Sequence, residues 1–241
     1  MYKVSVIIPV YNAGPYIEQC VYSVITQKTN FDFEIIVGDD CSTDLGTESI
    51  LKRMSSMYDN IKYYRHQTNT KGKENIKFLL SQCKGKYIAY LDGDDFWIDM
   101  NKLQRQVDFL ELNPEYSLTF TGHYRYGIRG LSYPSDSFIH WDEKSGDMTT
   151  TDIINNNSIA SPTKVFVNYF DDNWKDYFYD APFFDWVHNF YLSRMGKVRY
   201  LNFPSAVYRI HPNGVFALLT QEERQIKNDL SRKLFQKILE K

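Results

Sequence analysis

The stretch KYIAYLDGDDFW, from Lys86 to Trp97, joins a short apolar run to a turn that holds three carboxylates in four positions. The apolar run predicts a buried strand, and the acids follow directly at its end. Two interpretations fit the acids. They form a surface turn, in which Asp and Gly are favoured and water solvates the charge. Alternatively, they hold a divalent cation such as Mg²⁺ or Mn²⁺, which takes carboxylate oxygens together with substrate phosphates.

Strands and helices alternate along the chain on both sides of this stretch. Short runs rich in β-branched residues predict strands covered on both faces, and apolar residues recur at helical spacing between them. Alternation of this kind implies right-handed crossovers, so we expect an α/β fold with a mostly parallel central sheet flanked by helices. The strand runs are VSVIIPV, FEIIVGDD, IKYYR, KYIAYL and YSLTFTG, which begin at residues 4, 33, 61, 86 and 116.

The pattern weakens after about Gly122 and returns near the end of the chain. FFDWVHNFYLSRMG predicts a helix that ends at Gly196, and AVYRIH follows it. From Gln221 onward the spacing predicts a C-terminal helix that docks on the domain through one apolar stripe, with a membrane-surface or dimer contact as the alternatives. The stripe consists of Ile226, Leu230, Leu234, Ile238 and Leu239.

Composition excludes several classes of protein. The net charge is −2 over 241 residues, and positive and negative side chains are spread along the chain. The sequence therefore has no basic cluster that would predict nucleic-acid binding. Three cysteines without a Cys-x-x-Cys pair argue against a disulfide framework or a zinc site and favour a reducing cytoplasm. The sequence has no run of eighteen apolar residues, so we expect no membrane span, although peripheral contact with the inner face of the cell membrane stays open.

Polar clusters follow three of the predicted strands. They are YN after the first strand, GDDCSTD after the second and LDGDDFW after the fourth. Ligands of open parallel sheets bind outside the carboxyl ends of the strands, and acids gathered there repel one another unless a cation or a donor-rich ligand offsets them. The twelve glycines form no Gly-x-Gly and no Gly-Lys-Ser/Thr, which excludes the dinucleotide and P-loop fingerprints.

These motifs together resemble a known family. VSVIIPVYNAGPYIEQCVYSVITQ, FEIIVGDDCSTD, GKYIAYLDGDDFW, FFDW and YRIH, in that order and spacing, are similar to family 2 glycosyltransferases of the GT-A fold. The resemblance implies metal-dependent transfer of a sugar, with inversion, from a nucleotide diphosphate donor to a hydroxyl of a glycan or lipid-linked acceptor. Within this family, the sequence most resembles bacterial enzymes that build surface polysaccharides.

The resemblance assigns a nucleotide site to the first two polar clusters. Pro9, Tyr11 and Asn12 match the first nucleotide-contacting loop, although plain packing against the first helix is the alternative for Tyr11. Asp40 matches the acid that reads the base, and its carboxylate suits the imide N–H of uracil, so a UDP-sugar is the expected donor. Asp39 is expected to support the turn.

The resemblance also assigns the acidic turn. Asp92-Gly93-Asp94 matches the Asp-x-Asp motif, with Asp94 the ligand of Mn²⁺ or Mg²⁺ and Asp92 nearer the ribose or sugar. For Asp95 both a donor-sugar contact and support of the turn stay open. His211 matches a position that meets metal or diphosphate, and Arg209 beside it is suited to pair with phosphate.

A general base is needed on the face opposite the leaving nucleotide. Asp185 in FFDW matches the family's base position, beside aromatic residues expected to stack on a sugar and exclude water; a helix N-cap is its alternative role. Asp180 is the reserve candidate. The chain departs from the family at Cys41, where glycine is usual, and at Glu74, where the family commonly has Arg.

The chain is thus expected to contain a nucleotide-sugar-binding half over residues 1–122, an acceptor-binding half over 123–215 and a C-terminal helix over 216–241. Two other functions stay open. One is a catalytically inactive GT-A-like scaffold that binds nucleotide or sugar, and the other is a glycoside hydrolase, which also uses paired carboxylates. A base-reading acid beside the clustered carboxylates counts against the hydrolase. The sequence does not predict an oligomeric state.

Overall fold

The computed structural model describes residues 1–128, 130–132, 146–169, 181–214 and 218–240. The strands among these residues form one mixed sheet. In chain order, the strands are β1 Val4–Val10, β2 Phe33–Asp39, β3 Ile61–Arg65, β4 Tyr87–Tyr90, β5 Phe96–Trp97, β6 Tyr116–Gly127, β7 Gly130–Ser132, β8 Asp147–Met148, β9 Val165–Val167 and β10 Lys197–Arg209.

Helices cover both faces of this sheet. Pro15 stands in the first turn of α1, where its missing N–H costs nothing, and α4 ends directly before Asn113-Pro114. The helices are α1 Gly14–Ile25, α2 Thr47–Met57, α3 Lys73–Gln82, α4 Lys102–Leu112, α5 Thr150–Asn155, α6 Phe184–Met195 and α7 Gln221–Leu239.

The order of the strands is β3-β2-β1-β4-β9-β6-β10-β5. The pairs β3–β2, β2–β1, β1–β4 and β6–β10 are parallel. β9 runs antiparallel between β4 and β6, and β5, β7 and β8 add short antiparallel pairs. This arrangement confirms the predicted α/β fold with a mostly parallel sheet.

The core consists of two apolar layers, one on each face of the sheet. In β1, Ile7 belongs to one layer and its neighbours Val6 and Ile8 to the other, as the alternation of side chains along a strand requires. Helices α1, α2 and α4 pack on the layer of Val6, and α3, α5, α6 and α7 pack on the layer of Ile7. Both faces are covered, which is why β1 is apolar almost throughout.

Residues beyond Gly122 contain more strand than the sequence predicted. β6 continues to Gly127, and β10 covers thirteen residues that end at Arg209, inside the segment AVYRIH. The pairing of β6 with β10 has register shifts near Leu201 and Pro204, which interrupt the alternation that sequence patterns reveal. The predicted boundary at residue 122 therefore falls inside a strand.

The C-terminal helix docks on the domain, as predicted, but by only part of the predicted stripe. Ile238 is buried in the core and Leu234 packs against it, whereas Ile226, Leu230 and Leu239 are about half exposed. Phe235, which is not part of the stripe, is also buried, because Trp186 and Phe190 of α6 receive it. None of the helices that the structure describes is long and apolar enough to cross a membrane.

Candidate functional site

A cavity of about 700 Å³ opens where β1, β2 and β4 end. Most of the side chains that the sequence assigned to donor and metal lie around it, although their motifs are spread over the chain. Those residues are Pro9, Tyr11, Asn12, Asp40, Asp92, Asp94 and His211.

Asn12 joins the first two loops of this cavity. Its backbone φ is +51°, a left-handed conformation that Asn tolerates better than most residues. Its Oδ1 accepts from the backbone N–H groups of Thr43 at 2.8 Å and Asp44 at 3.2 Å. Tyr11, next to it, is 51% exposed, so its ring is available to a ligand rather than packed away.

The carboxylate of Asp40 holds the loop at residues 69–72. Its Oδ1 accepts from the backbone N–H and the hydroxyl of Thr70, both at 2.7 Å, and its Oδ2 accepts from the backbone N–H of Gly72 at 2.9 Å. Asp40 therefore shapes one wall of the cavity, because Asn69, Lys71 and Gly72 line it as well.

Asp39 supports the turn, as the sequence suggested. Its Oδ1 accepts from the backbone N–H of Ser42 at 2.8 Å, and its Oδ2 accepts from the Tyr63 hydroxyl at 2.9 Å. Cys41, which lies between Asp40 and Ser42 in the same turn, has a backbone φ of +62°. This left-handed conformation costs a residue with a side chain roughly 1 kcal/mol relative to glycine, which explains why glycine suits the position.

The acidic turn lies directly on the end of β1. Gly93 donates its backbone N–H to the Pro9 carbonyl at 3.1 Å, and a Cβ at Gly93 would meet Val10 Cγ2 at 2.9 Å. Glycine is therefore required for this close approach. The turn brings Asp92 and Asp94 to the same edge as the loop after β1.

Asp92 and Asp94 differ in environment. Tyr90 donates its hydroxyl to Asp92 Oδ1 at 3.1 Å, and burial, followed by the charge of Asp94, raises the pKa of Asp92 to about 7. The side chain of Asp94 is 34% exposed, and its Oδ2 lies 2.9 Å from Nε2 of His211. Asp94 and His211 are thus brought together from positions 117 residues apart.

Asp95 supports the turn from inside the protein. It is 1% exposed, and its Oδ1 accepts the backbone N–H of Arg209 at 2.8 Å. Burial and the charges of Asp94 and Asp92 raise its pKa well above the usual range. Its Oδ2 has no hydrogen-bond partner among the described residues, and Asp95 is not among the described residues that line the cavity. Of the two predicted roles, its position favours support of the turn.

Arg209 is fixed beside the turn. Its guanidinium donates to the backbone carbonyl of Asp94 and lies 4.4 Å from the ring centre of Phe96 and 5.1 Å from that of Tyr16. Burial lowers its pKa, against the opposing effect of Asp95. It lines a second cavity rather than the first.

The donor set at the turn fits a divalent cation that is completed by a ligand. Among the described residues no group of three or more His, Cys, Asp or Glu side chains is arranged to hold a metal ion. Two adjacent donors, Asp94 and His211, face the cavity. Mg²⁺ in proteins is commonly held by one or two carboxylates together with substrate phosphates, so the pair suffices if a diphosphate supplies further oxygens.

The second cavity, of about 450 Å³, shares Asp92 and Asp94 with the first. Asp185 lines it from the first turn of α6. The residue at the N-cap position of this helix is Phe183, so the structure does not give Asp185 the alternative role of N-cap. Asn157 donates its side-chain amide to Asp185 Oδ2 at 3.0 Å. Asp180 lies outside the described residues.

Trp186, one of the aromatic residues beside Asp185, is not available to stack on a sugar. Trp186 is 1% exposed, donates its indole N–H to the Ile153 carbonyl and packs against Phe235. It belongs to the core because α7 covers α6 on that side. Phe183 is partly buried and also lines the cavity, so it is the aromatic residue better placed for a sugar.

Sequence reasoning missed a buried lysine beneath the site. Lys164 is 0% exposed, and its Nζ lies 3.3 Å from His188 Nδ1, 3.4 Å from Asn189 Oδ1 and 5.0 Å from the ring centre of Tyr90. Burial lowers the pKa of Lys164 to about 8, against the charges of Asp185 and Asp92. A lysine inside the apolar run TKVFV was the signal that could have found it.

The neighbouring histidine is affected by the same environment. Burial, with the charge of Lys164 as a second cause, lowers the pKa of His188 well below its usual range. His188 is therefore neutral near pH 7 and can accept from Lys164. Lys164 thus places a positive charge near both Asp92, in the turn after β4, and Asp185, on α6.

Comparison with known families gives a match over most of the chain. The model of the family described as Glycosyl transferase family 2 matches residues 5–170. An uncharacterized glycosyltransferase of Haemophilus influenzae is 30% identical over an aligned length of 247 residues. The alignment covers 95% of this chain and 72% of that protein.

Two further relatives are similar over part of their length. The putative teichuronic acid biosynthesis glycosyltransferase TuaG of Bacillus subtilis is 36% identical over 160 residues, which cover 66% of this chain and 60% of TuaG. Poly(ribitol-phosphate) beta-N-acetylglucosaminyltransferase TarS of Staphylococcus aureus is 29% identical over 170 residues, which cover 69% of this chain and 28% of TarS. The chain spans about 60% of the length of several curated relatives that it matches.

Solved structures share the fold. The crystal structure of S. aureus TarS 1-349 in complex with UDP-GlcNAc matches with a TM-score of 0.67 at 22% identity, covering 90% of this chain and 61% of that one. Mannosyltransferase PcManGT from Pyrobaculum calidifontis, in complex with GDP-Man and Mn²⁺, has a TM-score of 0.67 at 16% identity and covers 97% and 70%. These matches confirm the predicted GT-A fold.

Proposed function

Because this chain belongs to glycosyl transferase family 2, we propose that it is an inverting glycosyltransferase that moves a sugar from a UDP-sugar to a hydroxyl of a glycan or lipid-linked acceptor. The observation that carries the proposal is the pair of cavities that share Asp92 and Asp94. One cavity contains Asp40 and the loops expected to bind a nucleotide, and the other contains Asp185. The donor sugar and the acceptor would then meet at the shared acids.

Asp40 supports uracil as the base. A carboxylate offers about four acceptor positions, and Thr70 and Gly72 use three of them. The remaining position can accept the imide N–H of uracil, a donor that neither cytosine nor adenine presents. Exposed Tyr11 lies at the same cavity and is suited to stack on the base.

A divalent cation fits the diphosphate end of this cavity. Asp94 and His211 would hold Mn²⁺ or Mg²⁺, which neutralises the charge that develops on the leaving diphosphate. Asp92, whose carboxylate is oriented by Tyr90, would contact the ribose or the sugar. Arg209 adds a fixed positive charge on the acceptor side of the turn.

Asp185 would accept the proton of the acceptor hydroxyl. The hydroxyl oxygen then bonds to the anomeric carbon while the bond from that carbon to the diphosphate oxygen breaks, so the electron pair leaves with UDP. Attack from the face opposite UDP inverts the configuration. Asn157 orients the base through its hydrogen bond to Oδ2, and a positioned base contributes roughly 10²- to 10⁴-fold to such a step.

A panel of nucleotide sugars tests this proposal. We expect UDP-sugars to raise the melting temperature in the presence of Mn²⁺, because a ligand that binds the folded state stabilises it by mass action. GDP-mannose serves as the control donor. Absence of any shift with the whole panel would contradict the proposal. A shift without sugar transfer or donor hydrolysis would instead indicate a binding scaffold.

A further inference from the structure

The C-terminal helix α7 forms one wall of the second cavity. Phe235 is fully buried and lies 5.3 Å from Trp186 and 4.5 Å from Phe190, ring centre to ring centre. Both partners belong to α6, the helix that carries Asp185, so α7 is attached to the element that positions the base. Its residues Asn228 and Arg232 line the cavity.

This wall lies outside the part of the chain that the family model matches, which ends at residue 170. The loops after β1 and β2 and the acidic turn lie inside the match, whereas Asp185, Arg209 and His211 lie beyond it. Among the described residues, those of α7 line the second cavity and not the first, so a feature that α7 supplies is suited to contact the acceptor rather than the donor.

Arg232 has only weak partners among the described residues. Its guanidinium lies 3.4 Å from Asp229 Oδ1, 3.4 Å from the Asn155 carbonyl and 5.7 Å from the ring centre of Trp186. Its side chain is 43% exposed. Hydrogen bonds to charged groups are usually shorter, at about 2.7–2.9 Å, so these contacts leave most of its donor capacity for a ligand.

Arg232 is also kept apart from the base. Both Arg232 and Asp185 line the cavity, but the hydrogen-bond partner of Asp185 is the neutral amide of Asn157. No hydrogen bond or ion pair between described residues joins the guanidinium of Arg232 to the carboxylate of Asp185. The positive charge of Arg232 is therefore left to the side of the cavity that α7 supplies.

The rest of this part of the lining is neutral and polar. Asn155, Asn156, Asn157 and Asn228 supply amides, which donate to and accept from hydroxyl groups. Arg209 lines this cavity as well, but its guanidinium donates to the backbone carbonyl of Asp94 in the acidic turn. Amides beside the guanidinium of Arg232 suit a polyhydroxylated molecule that carries one anionic group. Carboxylate and phosphate share the geometry that a guanidinium recognises.

We propose that Arg232 is a specificity-determining residue that binds an anionic group, a carboxylate or a phosphate, on the acceptor. The inference rests on the proposed function, because it takes the second cavity as the acceptor site. Arg232 contacts the acceptor at a distance from the reacting hydroxyl, so it determines which acceptor binds and leaves donor binding unchanged.

Three hexoses that differ only at C6 test the inference: glucose, glucuronate and glucose 6-phosphate. They are titrated by NMR into protein saturated with UDP and Mg²⁺, which fills the donor site. We expect the anionic hexoses to bind at least about fivefold more tightly than glucose, the order expected of one charge-assisted contact at a partly exposed site. The preferred anion identifies carboxylate or phosphate as the group recognised.

Two variants decide whether Arg232 causes the preference. R232Q should bind the three hexoses equally, whereas K233Q, which removes the same charge from the next, exposed position of α7, should keep the preference. Equal or undetectable binding of all three by the unmodified protein, or a preference that survives in R232Q, would overturn the inference. Calorimetric UDP binding should be unchanged in both variants, and failure of UDP to bind the unmodified protein would overturn the proposed function as well.

Discussion

Replacement of the buried Lys164 by methionine should change stability in a way that depends on pH. Methionine has a similar length and fills irregular apolar space. Lys164 is fully buried, and its pKa falls from the ordinary 10.5 to about 8. The folded state therefore disfavours the ammonium form, and below pH 8 the burial of this charge lowers the free energy of unfolding.

The size of this cost follows from the two pKa values. A difference of 10.5 against about 8 corresponds to about 3 kcal/mol, since one pKa unit is worth about 1.4 kcal/mol. The cost is fully present below the folded-state pKa, decreases as pH rises from 8 and vanishes above 10.5. The substitution also removes a hydrogen-bond donor to Asn189 Oδ1, and this loss lowers stability by about 1–3 kcal/mol at every pH.

The pH dependence is therefore a sharper expectation than the stability at any one pH. Between pH 7 and pH 9.5 the free energy of unfolding of Lys164→Met, relative to the unmodified protein, should fall by about 2 kcal/mol. Urea unfolding of both proteins at the two pH values measures this change, and Lys233→Met, at an exposed position of α7, controls for the loss of one positive charge. A difference that changes by less than about 0.5 kcal/mol across this range would contradict the expectation that burial of the Lys164 ammonium lowers stability.

The remaining predictions concern the donor, the cation and the base. Asp94→Asn should fold normally but lose metal-dependent UDP binding, because the cation then lacks its carboxylate; unchanged UDP affinity in Mn²⁺ by calorimetry would contradict this. UDP should bind at least about tenfold more tightly than CDP or ADP, since Asp40 can accept from the uracil imide, a donor that cytosine and adenine lack, and one hydrogen bond to a charged group is worth roughly that much; equal affinities for the three nucleotides would remove the basis for a UDP-sugar. Asp185→Asn should keep donor binding and lower transfer by roughly 10²- to 10⁴-fold, measured by donor titration beside product formation. Transfer near the original rate, or loss of donor binding, would make Asp180 the next residue to test.

Local patterns predicted the part of the fold around the donor cavity. β1 matched its predicted bounds, and β2 and β4 matched within two residues, because strands buried on both faces leave short apolar runs that need no knowledge of their partners. The polar residues that follow those strands lie together for the same reason, since parallel strands bring their carboxyl ends to one edge. Tyr11, Asp40 and Asp94 could therefore be placed in one site from the sequence.

The second cavity could not be predicted in this way. Its lining comes from α5, α6, β10 and α7, and the strand β9, with only three residues, is too short to leave a pattern. Arg232 lies on a helix whose docking face was predicted only in part, because the spacing of apolar residues in α7 does not reveal which of them α6 will cover. The role of such residues depends on packing between distant segments.

Local patterns are enough to predict that polar and acidic side chains gather at the ends of β1, β2 and β4, because buried strands and their direction leave a signal in the sequence. The surroundings of those acids depend on how distant segments pack. β9 lies between β4 and β6 in the sheet, and this order brings Lys164 beneath Asp92 and beside α6. The electrostatic environment of a carboxylate depends on which distant charges packing places close to it, and no local pattern in the sequence contains that information.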